Sequence, residues 1–165
     1  MEVLLVSPFK PFLVILSKAI PYLIISIINV IIILALSVYV LNLPVNGSLF
    51  LLFGESILLI ITALSLGLLI STSTDSQQTA MLMSMFGMML PTMLFTGFMF
   101  PIENMPLPLQ FVADIVPSRW YYIIVKAIMI KGLGFGMIWK ETLILAGMSF
   151  LLIIISLRKF KIRLA

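Results

Sequence analysis

Neither cysteine nor histidine occurs among the 165 residues. That double absence removes disulfide scaffolds, thiolate nucleophiles, histidine acid–base chemistry and the usual ligands of zinc and haem iron. Charge is scarce as well, with Asp, Glu, Lys and Arg making up 10% of the chain against roughly 25% in soluble domains. No phosphate-binding loop is present. The one glycine-rich stretch, Gly132-Leu133-Gly134-Phe135-Gly136, lacks a Lys-Ser/Thr pair and a strand before it and reads as a flexible turn. The chain is therefore not expected to be an enzyme, to hydrolyse nucleotide itself, or to bind a cofactor or metal.

What is there in abundance is apolar surface: 62% of residues and a mean hydropathy of +1.28. A soluble fold of this length would leave too much of it in water, so the sequence describes an integral membrane protein. A hydrocarbon core of about 30 Å takes roughly 20 apolar residues in helix. Four stretches qualify, at about 19–41, 49–70, 80–100 and 137–157. Open strands in lipid would leave backbone groups unpaired, so the spans are helices. Residues 1–18 scatter Glu2, Pro8, Lys10 and Pro11 through their length, which is not a signal-peptide pattern.

An even number of spans puts both ends on one side, and Arg158, Lys159, Lys161 and Arg163 crowd the last eight residues, 158–165. The basic-residue bias places both termini in the cytoplasm. Net charge +4 then reports topology and lipid headgroups rather than nucleic acid. On the opposite side, 101–136 is too short to cross twice. Residues 107–116 would form a half-length helix along the interface, ended by Pro117, with Leu107, Phe111 and Ile115 on one stripe; a second would run 118–130 from a Ser118 cap. Trp120, Tyr121, Tyr122 and Trp139 make an aromatic belt at headgroup level.

Several intramembrane residues carry two readings. Glu55, roughly 10 Å inside the second span, is either a proton or cation relay or a carboxylate that snorkels outward or bonds a neighbouring Ser or Thr. Asn29 reads as glue between helices. In the methionine-rich third span, Met85, Met89, Thr92 and Thr96 share a face in regular helix, suited to line a path for varied apolar substrates or simply to pack. Gly87 and Pro91 mark close packing or a kink.

The order of elements resembles the permease subunits of ABC type-2 exporters. The resemblance is carried by Glu2-Val3-Leu4-Leu5-Val6-Ser7-Pro8, by Gly67-Leu68-Leu69-Ile70-Ser71, and by Gln77-Gln78-Thr79-Ala80. Its most specific part is Thr96-Gly97-Phe98-Met99-Phe100-Pro101-Ile102-Glu103-Asn104-Met105-Pro106, continued by Leu109-Gln110 and Ile115-Val116-Pro117. Such permeases usually have six spans, so the resemblance implies that the chain corresponds to the C-terminal two-thirds of one, as an N-terminally truncated fragment would.

The resemblance implies an all-α membrane protein forming one transmembrane domain over 1–165, with a cytoplasmic coupling segment at 1–18 and two external, re-entrant half-helices. Glu2, Leu4, Leu5, Ser7 and Pro8 would meet a separate ABC ATPase subunit, which would bind the ATP and Mg. The third span would face the substrate path of a permease dimer, homo- or heterodimeric. Pro101, Glu103, Met105, Pro106, Gln110, Asp114 and Arg119 would belong to the external gate. The expected location is the bacterial inner membrane. A non-transporting assembly scaffold, and a secondary transporter coupled to Glu55, are the alternatives.

Overall fold

Long apolar runs become helices because only a helix pairs every backbone group within its own segment. In the computed structural model, which describes residues 11–164 and the side chains of 17 and 19–159, the helices follow those runs and no strand occurs among the described residues. Four helices are long and apolar enough to cross a membrane: Ala19–Tyr39, Leu49–Ser73, Gln77–Phe95 and Phe135–Lys159. The expected ATPase contact at Glu2, Leu4, Leu5, Ser7 and Pro8 lies outside the described residues.

Helix α1, Pro11–Tyr39, begins before the expected boundary at 19 and runs through Pro21. It ends where Asn42 takes a left-handed φ of 47°, a conformation asparagine tolerates better than most residues. Ser48 then caps α2, Leu49–Ser73, its side chain accepting from the Leu51 amide at 3.4 Å. Ser76 caps α3, Gln77–Ser84, in the same way, accepting from Thr79 at 3.1 Å.

The third span is not one regular helix. After α3 it widens into a π-turn, Met85–Met89, where the Leu90 amide bonds Met85 O, and then resumes as α4, Leu90–Phe95. It stops five residues short of the expected Phe100. The cause is Gly97, which turns the chain left-handed at φ 88° in the manner of a helix-ending glycine.

A short 3-10 turn, Ile102–Asn104, leads to α5, Leu107–Ile115, and α6, Pro117–Met129. Helix α6 starts one residue before the expected Ser118 cap. Pro117 takes the first helical position, where its missing amide costs nothing, and Val116 precedes it without a side-chain cap. Gly132, at φ 65°, opens the turn into α7, Phe135–Leu164, and the basic stretch from Arg158 continues that helix as far as Leu164.

The buried core is Leu52 from α2, Ile124, Ala127 and Ile128 from α6, and Ile138 and Leu145 from α7. Half of this core therefore comes from a helix too short to span. Neither α1 nor the third span has a buried residue in its most apolar stretch. Asn29, expected to bond between helices, is exposed on α1. At one end of the bundle Lys159 Nζ donates to Ser73 Oγ at 3.0 Å; the loops 40–48 and 96–134 gather at the other.

Candidate functional site

Helix α6 is tied to the start of α2 at two depths. At its C-terminal end the Asn46 amide donates to Met129 O at 3.1 Å and Asn46 Nδ2 donates to Ile130 O at 2.9 Å. These bonds satisfy carbonyls that a helix end leaves unpaired. Gly47 lies so close that a Cβ there would sit 2.5 Å from Ile128 O. Near its N-terminal end, Tyr121 Oη lies 2.7 Å from Ser56 Oγ. Ser56 gives its own proton to Leu52 O at 2.7 Å, so Tyr121 is the donor to Ser56.

From Leu49 to Ser56, and from Met129 back to Tyr121, the two helices cover a similar distance of roughly 10–12 Å. Helix α6 therefore stands antiparallel to the first turns of α2, dipping into the bundle as a re-entrant helix. Burial raises the Tyr121 pKa above its ordinary value; the Ser56 hydrogen bond opposes this and the Glu55 charge adds to it.

Beside this pair, Thr142 Oγ1 of α7 donates to Glu55 Oε1 at 2.7 Å. Of the readings open for Glu55, the structure shows the hydrogen bond to a neighbouring threonine. Glu55 is 4% exposed, and its second oxygen, Oε2, is buried without a partner among the described residues. Two polar links thus cross the apolar core at one level, Ser56 to α6 and Glu55 to α7.

Helix α5 is held differently. Only Ala113 is buried on it, while Leu107, Phe111 and Ile115 are about 70% exposed at 70%, 71% and 72%. What fixes it is a polar chain. Gln110 Nε2 donates to Met105 O at 2.8 Å, and Arg119 Nη1 donates to Gln110 O at 3.3 Å. Arg119 also pairs with Asp114 and lies 5.8 Å from the Trp120 ring centre. Trp120 Nε1 donates to Asp114 O at 2.9 Å.

The structure therefore brings Met105, Gln110, Asp114 and Arg119 into one network. Pro106 starts α5, its carbonyl accepting from the Leu109 amide at 2.9 Å. Pro101 opens the 3-10 turn, and Glu103 within that turn is exposed. The expected path residues do not come together as one set. Met85 and Met89 line a groove of about 920 Å³ beside α2. Thr96 instead meets Ser118 Oγ at 3.2 Å and donates to Thr92 O. The π-turn places its extra residue between Met85 and Met89, so the shared face drawn for a regular helix is broken.

Trp120, Tyr121, Ser56 and Asn46 were not among the candidate positions. Tyr121 reads only as part of an interfacial belt because its partner Ser56 lies 65 residues away, and the Ile130 carbonyl that Asn46 meets lies 84 residues away. Gly97 within an apolar run was the available sign that the third span ends early.

The family model described as ABC-2 type transporter matches residues 1–130. The chain is 33% identical over 141 residues to "Probable multidrug ABC transporter permease YbhR" of Escherichia coli K12, covering 86% of this chain and 38% of that protein. It is 33% identical over 132 residues to "Probable multidrug ABC transporter permease YbhS" of the same strain, covering 80% and 35%. A third relative, "Inner membrane transport permease YhhJ", is 26% identical over 161 residues, covering 97% of this chain and 43% of the relative. The chain thus spans well under half the length of these relatives. No solved structure matches it.

Proposed function

The chain belongs to the ABC-2 type transporter family, and from that premise we propose that it forms part of the permease of an ATP-driven exporter. The observation that carries the reading is the re-entrant helix α6, clamped to α2 through Asn46 and Tyr121 at one end of the bundle. A half-length helix with its own core residues in a four-span bundle suits a stopper over a path better than a lipid-facing connector.

On this reading a partner ABC ATPase binds ATP and Mg, and its closure is transmitted through 1–8 to the spans. A second permease subunit, identical or homologous, completes the path. The molecule sits in the bacterial inner membrane with both termini cytoplasmic, and surrounding lipid covers the exposed apolar faces. Met85 and Met89, with Thr92 and Thr96 above the π-turn, lie along the path. The segment from Pro101 to Arg119 closes it on the outside. Here α6 is the fixed part of the closure and α5, held by the Arg119–Asp114 network, is the part free to move.

The test is reconstitution of the tagged full-length counterpart with its ATPase. ATP-dependent export that is lost on replacing Glu2 and Leu5, with the complex still assembled, supports the reading. Absence of any co-purifying ATP-binding subunit, or transport indifferent to those replacements, removes it.

A further inference from the structure

A groove of about 920 Å³ runs between the last turns of α2 and the first turns of the third span. That volume falls within the range of about 300–1,000 Å³ typical of small-molecule sites. Its walls are Gly67 and Ile70 on one side and Ala80, Met81, Met85 and Met89 on the other. At the end nearest the loop between the helices stand Ser71, Gln77 and Gln78. No Asp, Glu, Lys or Arg is among its lining residues.

We propose that this groove binds an elongated amphiphile taken from the adjoining lipid leaflet, with its tail along Met81, Met85 and Met89 and an uncharged hydrogen-bonding head at Gln77 and Gln78. The role as a loading site for export rests on the exporter reading above; the binding itself does not.

The chemistry of the walls selects this occupant. An apolar trough ending in two carboxamides and a hydroxyl matches a molecule that is apolar along its length and polar at one end. A charged head would lose hydration without meeting a counter-charge, which is costly, so an uncharged head is favoured. The methionines are unbranched and adapt to tails of different shape. Gly67 keeps the trough open, since a Cβ there would meet nothing within 4 Å. Entry is lateral, because both walls belong to membrane-spanning helices. Met85 and Met89 are the first and last residues of the π-turn, so a bound tail bears directly on the irregular part of the third span.

The test is photolabelling in phosphatidylcholine vesicles with a diazirine-bearing N-dodecyl amide and, in parallel, a diazirine-bearing dodecanoate. The amide is expected to label 67–89 at least fivefold more than the exposed face of α1 around Ile24 and Ile28, saturably and more than the dodecanoate does. Gly67→Leu should cut groove labelling at least fivefold and leave α1 labelling unchanged. It should fold, because the site has space and leucine is the better helix former. Gln77→Leu with Gln78→Leu should abolish the preference for the amide and provides an independent readout.

Labelling no stronger than on α1, or indifferent to Gly67→Leu, would overturn the proposal. Labelling that fails while ATP-driven export persists removes the groove site and leaves the exporter reading. Labelling that holds while no ATPase subunit associates removes the exporter reading and leaves the site.

Discussion

Thr142 Oγ1 reaches Glu55 Oε1 across 2.7 Å, joining α7 to α2 inside the apolar core beside the re-entrant helix. Its one proton also faces Ile138 O at 3.1 Å, and the shorter contact goes to the carboxyl oxygen. Thr142→Val keeps the shape and removes the donor, leaving both carboxyl oxygens of a buried residue unpaired. The expected loss is about 1–3 kcal/mol of stability, read by thermal or SDS unfolding of the purified chain. Glu55→Gln keeps an acceptor opposite Thr142 and should cost less. Equal stability of Thr142→Val and the parent would show that the bond contributes nothing.

The Tyr121 hydroxyl donates to Ser56 from a half-buried position, and this partial burial raises its pKa above the usual 10.0. The folded chain therefore holds this proton to higher pH than the unfolded chain does. Stability that Tyr121 adds over phenylalanine is full below about pH 10 and declines as pH rises beyond it. Tyr121→Phe should be less stable than the parent by about 1 kcal/mol at neutral pH, and the two should converge in alkaline unfolding series. A difference that stays constant from pH 7 to 11 would contradict this assignment.

Two glycines on either side of the α2 N-terminus should respond oppositely to alanine. At Gly47 the new Cβ would lie 2.5 Å from Ile128 O, a backbone oxygen held within α6, so the loop must move away. Overpacking of this kind costs about 1–3 kcal/mol, and the bonds from Asn46 to Met129 and Ile130 should weaken with it. At Gly54 nothing lies within 4 Å, and alanine should be neutral or add up to about 1 kcal/mol through helix propensity. Melting temperatures of the two variants decide the matter.

Helix α5 offers a sharper test, because the chain has no cysteine and a single introduced thiol reports alone. Ala113 is fully buried at 0% exposure, so Ala113→Cys should react slowly with maleimide. Arg119 ties α5 to α6 through Asp114 and Gln110 O. Asp114 is 47% exposed, so its pair with Arg119 alone is worth at most about 1 kcal/mol. Asp114→Asn should then speed labelling up to roughly fivefold, since 1.4 kcal/mol is tenfold. Arg119→Ala, which also loses the Gln110 bond and the Trp120 contact, should speed it further. Unaltered rates in both variants would mean that packing rather than the polar chain holds α5.

How much of this was legible in the sequence depends on the range of the interactions. The four spans are set by local apolar runs and helix pairing, and each was readable at its centre. The bounds shifted where one residue outweighed hydropathy, as Gly97 does against Phe98, Met99 and Phe100. Lengths and prolines revealed two half-helices. Their unequal roles were not readable, because α5 is the more apolar of the two although α6 is the one with core residues, and they differ in what they meet: Ser56, Asn46 and the α7 core in one case, a surface network in the other. Gly87 and Pro91 marked close packing or a kink in the third span but not its form as a π-turn, since Met85, Gly87 and Met89 fit a regular helix as well as a widened one.

That π-turn gives the last prediction. A π-turn accommodates one residue more than the α-helix it interrupts, so the flanking helices keep their faces only while the extra residue is present within it or is removed from it cleanly. Deleting Gly87 should convert Met85–Met89 to regular helix, keeping α3 beside α2 and the Thr96 hydroxyl near Ser118. Helix content by circular dichroism should be unchanged within error, and the melting temperature close to that of the parent. If the third span bends at this point during transport, ATP-dependent export by the full-length counterpart should fall several-fold although the fold survives. A deletion variant that folds and exports at the parental rate would exclude the π-turn as a working hinge and leave it as a feature of packing.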